Sequence, residues 1–224
     1  MINISIISDT HGKHDQITKY LPGGDILFCA GDVCTSKRPN LGINDFLDWA
    51  TSLNYQHVIM IGGNHDYPLE RDVYARQLLF RYKQVIYLND EQVTVNINNQ
   101  ALKIFGSPHS PPAGNDAFFM SDPIQIRNRF RFFDHPDIVL THSPPYRVLD
   151  KNCLNSHMGC RILRQLVDEQ KPKMHIFGHT HEASGSIDSE FTHFFNAAVV
   201  NGQFVVANKP RTFKWNVLTN EIVQ

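Results

Sequence analysis

The sequence predicts an α/β fold in which helices pack over β-sheets and the polar ends of strands gather at one edge. Two observations support this prediction. Short apolar runs alternate along the chain with segments of helical periodicity, as they do in proteins whose helices cover a sheet. Five of the apolar runs stop abruptly at clusters rich in Asp, Asn and His residues. A sheet edge lined by such residues is a common place for a ligand site.

The predicted strands are short apolar runs, and most are near-continuous rather than alternating, which suits strands covered on both faces. They occupy residues 2–7, 25–30, 57–61, 85–88, 92–97, 102–105, 137–140 and 174–177. Asn98-Asn99 lies between two of these runs and predicts a hairpin turn, which makes the sheet arrangement mixed. The chain from Ser186 onward is also strand-like. A second hairpin is predicted there, turning at Asn201-Gly202 between residues 197–200 and 204–206.

Helical spacing of apolar residues predicts helices over residues 43–53, 73–82, 124–133 and 158–169. Residues 106–123 form a stretch rich in Pro, Ser and Gly, which predicts a long irregular loop. Long loops within compact domains are often functional, so a substrate-facing loop is favoured and its particular role stays open. No linker or low-complexity tract divides the chain, so we expect one domain over residues 1–224.

Composition is that of an ordinary soluble globular protein and disfavours two kinds of partner. Of the 224 residues, 42% are hydrophobic and 19% are charged. The formal net charge of −1 provides no field for stable binding to nucleic acid or to an anionic membrane. No run approaches the roughly 20 apolar residues that span a bilayer, and the first apolar run lacks the features of a signal peptide. The four cysteines form no C-x-x-C pair, which favours reduced thiols and a cytoplasmic location.

The polar clusters that follow the apolar runs contain residue types that bind transition metals. They are Asp9 with His11, Asp32, Asn64-His65-Asp66, His142, and His179 with His181. A mixture of imidazole and carboxylate groups suits a borderline transition cation better than magnesium or calcium alone. Seven or eight such ligands exceed what one ion takes, which indicates two ions that share a bridging carboxylate.

The last of these clusters, Gly178-His179-Thr180-His181, brings both histidines to a cation only if the chain bends between them. We expect Gly178 to permit that bend, because glycine adopts backbone angles that other residues avoid. A lone H-x-H pair is a weak signal, and its weight here comes from the clusters that precede it.

In this order, the motifs D-x-H, G-D, G-N-H-D, T-H and G-H-T-H between Asp9 and His181 resemble those of the calcineurin-like metallophosphoesterase superfamily. The second half of the chain resembles a narrower branch, the small cyclic-nucleotide-phosphodiesterase-like members, including the fetal-brain type. The segments that carry this narrower resemblance are His142-Ser-Pro-Pro, Leu149-Asp150, Gly159-Cys160, residues 171–177, Glu182 and Asn196-Ala197.

The resemblance implies a four-layer αββα sandwich, in which two mixed β-sheets are flanked by helices and a dinuclear metal site lies at the strand ends. It assigns Asp9, His11 and His181 to one ion, Asn64, His142 and His179 to the other, and Asp32 to both as a bridge. It also assigns His65 to the leaving group, with Asp66 as the residue that orients it.

These features predict a metal-dependent phosphoesterase, a phosphodiester hydrolase that acts on small phosphodiesters or cyclic nucleotides. Two cations lower the pKa of a bridging water, and the resulting hydroxide attacks phosphorus while His65 protonates the leaving oxygen. Manganese is the first choice of metal, with iron, zinc, nickel or cobalt as alternatives. A phosphomonoesterase, a nuclease and a non-catalytic interaction scaffold with this fold remain alternatives. No arginine precedes Gly63-Asn64-His65, whereas protein phosphatases of the superfamily have one there, so that class is disfavoured.

Two further histidines are weaker candidates for contact with substrate. His109 follows Ser107-Pro108, where related small members often carry an aromatic residue, and His157 lies on the loop before a predicted helix. A small phosphoester is the only partner that the sequence predicts, and it makes no prediction about oligomeric state.

Overall fold

The computed structural model of the protein describes residues 1–35, 39–110 and 116–223. In this part of the chain the strands form two mixed six-stranded sheets that face each other. Helices cover the outer face of each sheet. The fold is therefore the predicted α/β sandwich of two mixed sheets flanked by helices.

The strands follow in chain order as β1 (Ile2–Ile7), β2 (Gly24–Cys29), β3 (Tyr55–Met60), β4 (Val85–Tyr87), β5 (Glu91–Ile97), β6 (Gln100–Ser107), β7 (Ile138–Thr141), β8 (Met174–Phe177), β9 (Gly185–Asp188), β10 (His193–Asn196), β11 (Arg211–Asn216) and β12 (Glu221–Val223). The α-helices are α1 (Pro39–Ser52), α2 (Tyr67–Arg71), α3 (Val73–Leu79), α4 (Pro123–Arg129) and α5 (Arg161–Gln170). Short 3-10 turns lie at His14–Tyr20, Phe130–Phe132 and His181–Ala183.

Each sheet has a parallel centre and antiparallel additions. The first has the order β12-β11-β1-β2-β3-β4, in which β1 to β4 are parallel and β11 runs antiparallel to β1. The second has the order β5-β6-β7-β8-β10-β9, in which β6, β7, β8 and β10 are parallel. Both sheets therefore present a row of carboxyl strand ends, where ligand sites of α/β proteins usually lie.

The apolar runs are near-continuous because the central strands are buried on both faces. In β2, Ile26 and Phe28 point into the core between the sheets, whereas Leu27 packs outward beneath α1. In the second sheet, the outer face packs under α5, which contributes Leu163 and Val167. Burying a side chain of this size stabilises a fold by about 1.5–3 kcal/mol.

The hairpin predicted at Asn98-Asn99 is confirmed. It joins β5 and β6, and both asparagines have positive φ, 50° and 63°. Two consecutive left-handed residues are the signature of a type I′ turn, whose twist matches that of the strands.

The second predicted hairpin, at Asn201-Gly202, is confirmed as a turn but not as a pair of strands. Its two arms share one antiparallel bridge, from Val200 to Val206, and the Asn201 N–H donates to the Val205 carbonyl at 2.9 Å. The run before the turn instead crosses the sheet edge: Ala198 bridges to Ser8 at the end of β1, and the Val199 N–H donates to the Ser8 carbonyl at 3.0 Å. An apolar run buried on both sides has the composition of a strand whether or not it joins a ladder, so composition alone did not separate the two cases.

The helices agree with prediction in position but not in their ends. The helix predicted at 158–169 begins at Arg161, because Cys160 is extended and caps it by accepting from the Leu163 N–H. The helix predicted at 124–133 is α4, which ends at Arg129 and continues as a 3-10 turn. The predicted loop 106–123 contains the end of β6 and the start of α4, and its residues 111–115 lie outside the described residues.

Among the described residues, no helix has the length and apolar character needed to cross a membrane.

We expect the protein to lose stability in mild acid, because one histidine outside the strand-end clusters is fully buried. His175 on β8 is fully buried, and its Nε2 lies 2.8 Å from the Thr141 hydroxyl oxygen. Burial lowers the pKa of His175 to about 3, so the folded protein keeps the ring neutral while the unfolded chain protonates it below about pH 6.5. Since the unfolded state then binds the extra proton, the free energy of unfolding falls as the pH drops from about 6.5 towards 3.

We therefore expect His175→Gln to lose less stability than wild type between pH 7 and pH 5, by about 2 kcal/mol in the free energy of unfolding. Urea denaturation at the two pH values measures this difference, and His135→Gln, at an exposed histidine, is the control. Equal pH dependence in wild type and His175→Gln would contradict the assignment.

Candidate metal centre

Residues that follow strands of both sheets meet at one edge of the sandwich. Asp9, Asp32 and Asn64 follow β1, β2 and β3 of the first sheet, and His142 and His179 follow β7 and β8 of the second. The His179 N–H donates to the Asp9 carboxylate at 3.0 Å, which joins the two rows of strand ends.

The backbone at this edge is strained. Asp9, His11, Asp32 and His179 all lie in the left-handed region, with φ of 55°, 44°, 55° and 67°. For a residue with a side chain this conformation costs roughly 1–2 kcal/mol, and such residues concentrate at functional sites. Hydrogen bonds between the loops hold the strain in place: Asp9 N–H donates to the Gly31 carbonyl at 2.9 Å, and His11 N–H to the Asp32 carbonyl at 3.0 Å.

Two motif glycines are required here by lack of space. A Cβ on Gly63 would overlap the Asp32 carboxylate, and a Cβ on Gly178 would overlap the Asp9 carboxylate. The expectation that Gly178 supplies the bend between the two histidines is wrong, because the left-handed residue is His179 itself. Gly178 is needed because β8 ends directly against Asp9.

The first group of ligand atoms comprises Asp9, His11 and His181, with one donor atom of each within 4.8 Å of the others. The Nδ1 atoms of the two histidines face backbone carbonyls, that of Cys34 at 3.3 Å for His11 and that of Asn201 at 3.2 Å for His181. Each Nδ1 therefore carries a proton, which makes each Nε2 the atom that would bind a metal, and the Nε2 of His181 lies 3.3 Å from Asp9 Oδ1. The buried Nε2 of His11 has no hydrogen-bond partner among the described residues, which fits a position for a cation.

The second group comprises Asp9, Asp32 and His142, and Asn64 and His179 lie beside it. The Nδ1–H of His142 donates to the carbonyl at the end of β2 at 2.8 Å, so its Nε2 is again the open donor atom. That Nε2 faces two oxygens, the Asn64 amide oxygen at 2.8 Å and Asp32 Oδ2 at 3.5 Å. The His179 Nδ1 lies 2.9 Å from the same amide oxygen. Two ring nitrogens thus converge on one amide oxygen, an arrangement that ring protons satisfy and that a bound metal ion would satisfy in their place.

The charges of the cluster are strongly coupled. Burial acts to raise the pKa of Asp32, but the neighbouring imidazoles, His142 first, outweigh it and hold the pKa below its usual range. Burial acts to lower the pKa of His142, whereas the Asp32 carboxylate raises it to about 9. Burial lowers the pKa of His179 to about 4. A buried anion beside a proton-binding imidazole shows that this position favours a cation.

His65 lies at the accessible side of the cluster. Its side chain is 25% exposed, and its Nε2 is 4.0 Å from Asp32 Oδ2. Its backbone N–H donates to Asp32 Oδ1 at 2.8 Å, so the main chain of His65 supports a predicted ligand while the ring remains open to an incoming molecule.

Asp66 has a different set of partners from the one predicted. Its fully buried carboxylate accepts from the Cys34 N–H and the Gly63 N–H, both at 2.8 Å, and among the described residues no hydrogen bond joins it to the His65 ring. Burial, together with the nearby Asp32 charge, raises the pKa of Asp66 to about 6. The carboxylate therefore ties the loop after β2 to the loop after β3 instead of orienting His65.

A family model described as calcineurin-like phosphoesterase matches residues 2–183 of the 224-residue chain. The protein belongs to the calcineurin-like phosphoesterases. The match covers every predicted metal ligand and confirms the superfamily that the ordered motifs resembled. The family and the donor set together support divalent metal ions at this centre.

Similar proteins support the same placement. Human metallophosphoesterase domain-containing protein 1 is 29% identical in an alignment of 230 residues that covers 91% of this chain and 68% of that protein. Probable rhamnogalacturonate lyase C of Emericella nidulans is 31% identical in an alignment of 192 residues that covers 83% of this chain and only 18% of the lyase. The structure of TT1561 of Thermus thermophilus has a TM-score of 0.68 with 12% identity, and the match covers 99% of this chain and 97% of that one. This last likeness is one of fold alone.

The phosphoesterase centre also contains a residue that sequence reasoning missed. The Asn64 side-chain N–H donates to Asp116 Oδ2 at 3.1 Å, and the Tyr67 hydroxyl donates to Asp116 Oδ1 at 3.0 Å. Because an amide has one donor end and one acceptor end, this bond turns the Asn64 oxygen towards His142 and His179. Asp116 lies in the predicted loop 106–123, and no local pattern in that loop marks it.

The two histidines predicted as weak substrate contacts have other partners in this phosphoesterase. Both ring nitrogens of His109 are engaged, Nε2 with Asp90 at 3.0 Å and Nδ1 with the Phe118 carbonyl at 3.1 Å. The His157 Nδ1 lies 2.7 Å from the Asp150 carboxylate. Within the described residues, no hydrogen bond or ring contact connects either histidine to the predicted metal ligands.

Proposed function

We propose that this phosphoesterase hydrolyses small phosphodiesters, cyclic nucleotides among them, at a centre of two divalent transition ions, with manganese the first choice. One observation carries the proposal. Donor atoms from the ends of both sheets converge, and the histidines His11, His142 and His181 each have Nδ1 engaged by a backbone carbonyl, which leaves Nε2 as a metal donor.

The donor atoms divide between the two ions as follows: Asp9, His11 and His181 would hold one ion, Asn64, His142 and His179 the other, and Asp32 would lie between them. When bound, such a pair supplies positive charge that offsets the phosphate oxygens and lowers the pKa of a water molecule. The chain contributes orientation, because its backbone carbonyls fix the imidazole rings before any ligand arrives. It also contributes a proton donor: the partly exposed ring of His65 would donate to the leaving oxygen.

The surroundings of the centre favour diesters over monoesters. In the described part of the chain, no arginine or lysine side chain forms a hydrogen bond or ion pair with the predicted ligands, His65 included. A monoester carries one more negative charge than a diester near neutral pH and gains more from such a cation. A nuclease would in addition need a basic surface, which the net charge of −1 does not favour.

The cysteines support a cytoplasmic location for this activity. Cys29 and Cys160 are free and buried, and Cys153 is free and exposed. Free thiols at these positions suit a reducing compartment, so we propose that the phosphoesterase acts in the cytoplasm.

A substrate panel on protein reconstituted with manganese tests the proposal. The panel compares mono- with diesters and linear with cyclic diesters, and metal content is measured on the same samples. We expect bound metal and faster turnover of diesters. Faster turnover of monoesters would show that the protein is a phosphomonoesterase and not a phosphodiesterase. Salt-sensitive binding and cleavage of DNA would favour a nuclease. Protein that binds no metal and has no activity would favour a scaffold.

A further inference from the structure

The ring of Phe204 packs against histidines of the metal centre, although Phe204 belongs to none of the metal-ligand motifs found in the sequence. Its ring centroid lies 4.8 Å from that of His11, 5.4 Å from that of His181 and 6.2 Å from that of His65, in each case nearly perpendicular. The side chain is 43% exposed. An aromatic ring therefore borders the centre on the side where His65 is open.

The loop that presents this ring is built around Asn201. The Asn201 side-chain oxygen accepts from the N–H groups of Gln203 and Val205 at 3.0 and 3.1 Å, and its backbone N–H donates to the Val205 carbonyl. The Asn201 carbonyl faces the Nδ1 of His181 at 3.2 Å. One residue thus fixes both the loop and a predicted metal ligand, so the ring has a set position relative to the centre.

The conformation of Phe204 is costly in two ways. Its φ of 57° is left-handed, which a bulky side chain rarely adopts. Its ring also remains partly in water, although rings of this size stabilise a fold most when fully buried. Strained residues cluster at functional sites, and a flat apolar face beside a phosphoester centre offers a surface on which a planar group can stack.

We infer that the Phe204 ring receives a planar group of the substrate by stacking, so that the centre favours aryl or nucleoside phosphoesters over esters that lack a ring. This inference rests on the proposed function and names its substrate class. The ring has no hydrogen-bonding atom, so it contributes affinity for any flat face and does not choose among bases. Removing one stacked aromatic ring typically weakens binding by roughly tenfold.

Binding of AMP and of ribose 5-phosphate tests the inference, because the two ligands differ only by the base. Calorimetry on manganese-loaded protein measures both affinities without any need for turnover. We expect wild type to bind AMP about tenfold more tightly, and Phe204→Leu to lose that preference while its affinity for ribose 5-phosphate and its metal content stay unchanged. Phe204→Tyr keeps the ring and should keep the preference, and Val205→Ala, at the exposed neighbouring residue, is the matched control.

A second variant, Phe204→Asn, removes the ring with a residue that tolerates left-handed backbone, so a misfolded loop is not mistaken for lost stacking. The inference is overturned if wild type shows no preference for AMP, or if the preference survives both ring-removing variants. It is also overturned if these variants lose metal and ribose 5-phosphate affinity together, because the ring would then only support His11 and His181. A failure of the proposed function looks different: wild type would turn over no phosphodiester in the panel, whatever its preference for AMP.

Discussion

Asp32→Asn is expected to lose metal from both positions and to reduce turnover by roughly 10³-fold or more, since several kcal/mol of charge stabilisation would be lost. Asp32 Oδ2 lies 3.5 Å from the Nε2 of His142 and 3.7 Å from that of His11, which belong to different ligand groups. Removal of this negative charge takes an anion away from one histidine of each group, and only the Asp9 carboxylate, which belongs to both groups, remains.

The asparagine substitution removes the negative charge of Asp32 but keeps its hydrogen bond to the loop after β3. Asp32 Oδ1 accepts the His65 N–H at 2.8 Å, and an amide oxygen can keep that bond, so the loop after β3 should stay in place. Metal content and turnover of a chromogenic diester are the two measurements. Asp90→Asn is the matched control, because Asp90 is also buried, left-handed and hydrogen-bonded, to Ser107 and His109, but belongs to neither ligand group.

Loss of metal in Asp32→Asn, with the same melting temperature as wild type when both proteins are metal-free, would support the central position of Asp32. If Asp32→Asn kept its full metal content, or lost one ion alone, the idea that this carboxylate serves both ions would have to be given up.

His65→Ala should retain metal and lose about 10²- to 10⁴-fold in turnover of alkyl esters, whose leaving oxygen needs a proton. Metal should be retained because the backbone N–H of residue 65, which bonds Asp32, is unaffected by the substitution. A nitrophenolate leaving group departs as an anion at neutral pH and needs no proton. For nitrophenyl esters we therefore expect a much smaller loss of turnover.

The dependence on leaving group is the decisive measurement for His65. His157→Ala is a suitable control, since the His157 side chain is similarly exposed, 29% against 25%, and is also paired with a carboxylate. For the control, we expect the ratio of variant turnover to wild-type turnover to be the same for alkyl esters and for nitrophenyl esters. Full alkyl-ester turnover in His65→Ala would exclude proton donation by this ring.

Much of the fold could be predicted because its signals are local. Strands buried on both faces produce near-continuous apolar runs, and the paired asparagines before β6 specify a left-handed turn whatever surrounds them. The failure at Asn201-Gly202 has the same origin. Residues 197–200 are as apolar as a strand, but Ala198 and Val199 pair with Ser8 at the end of β1, and one bridge, from Val200 to Val206, joins them to the segment that follows.

Part of the candidate site could also be predicted from residues that are neighbours in the sequence. Clusters such as Gly63-Asn64-His65-Asp66 interrupt apolar runs, and their residue types alone indicate a transition metal. Supporting contacts were not predictable in this way. Asp66 was expected beside the His65 ring, but its carboxylate reaches the Cys34 N–H, and Asp116 bonds Asn64 from a loop 52 positions away.

The sequence by itself determined the residue types at the strand ends and the alternation that orders the sheets, because both depend on neighbours along the chain. Only the tertiary structure decided which atoms face inward. The ring of His142 is fixed by a carbonyl 112 residues away, that of His11 by one 23 residues away and that of His181 by one 20 residues away. A hydrogen bond acts over about 3 Å and depends on direction. The orientation of these rings, and the place of Phe204 beside them, therefore exist only once the two sheets have packed together.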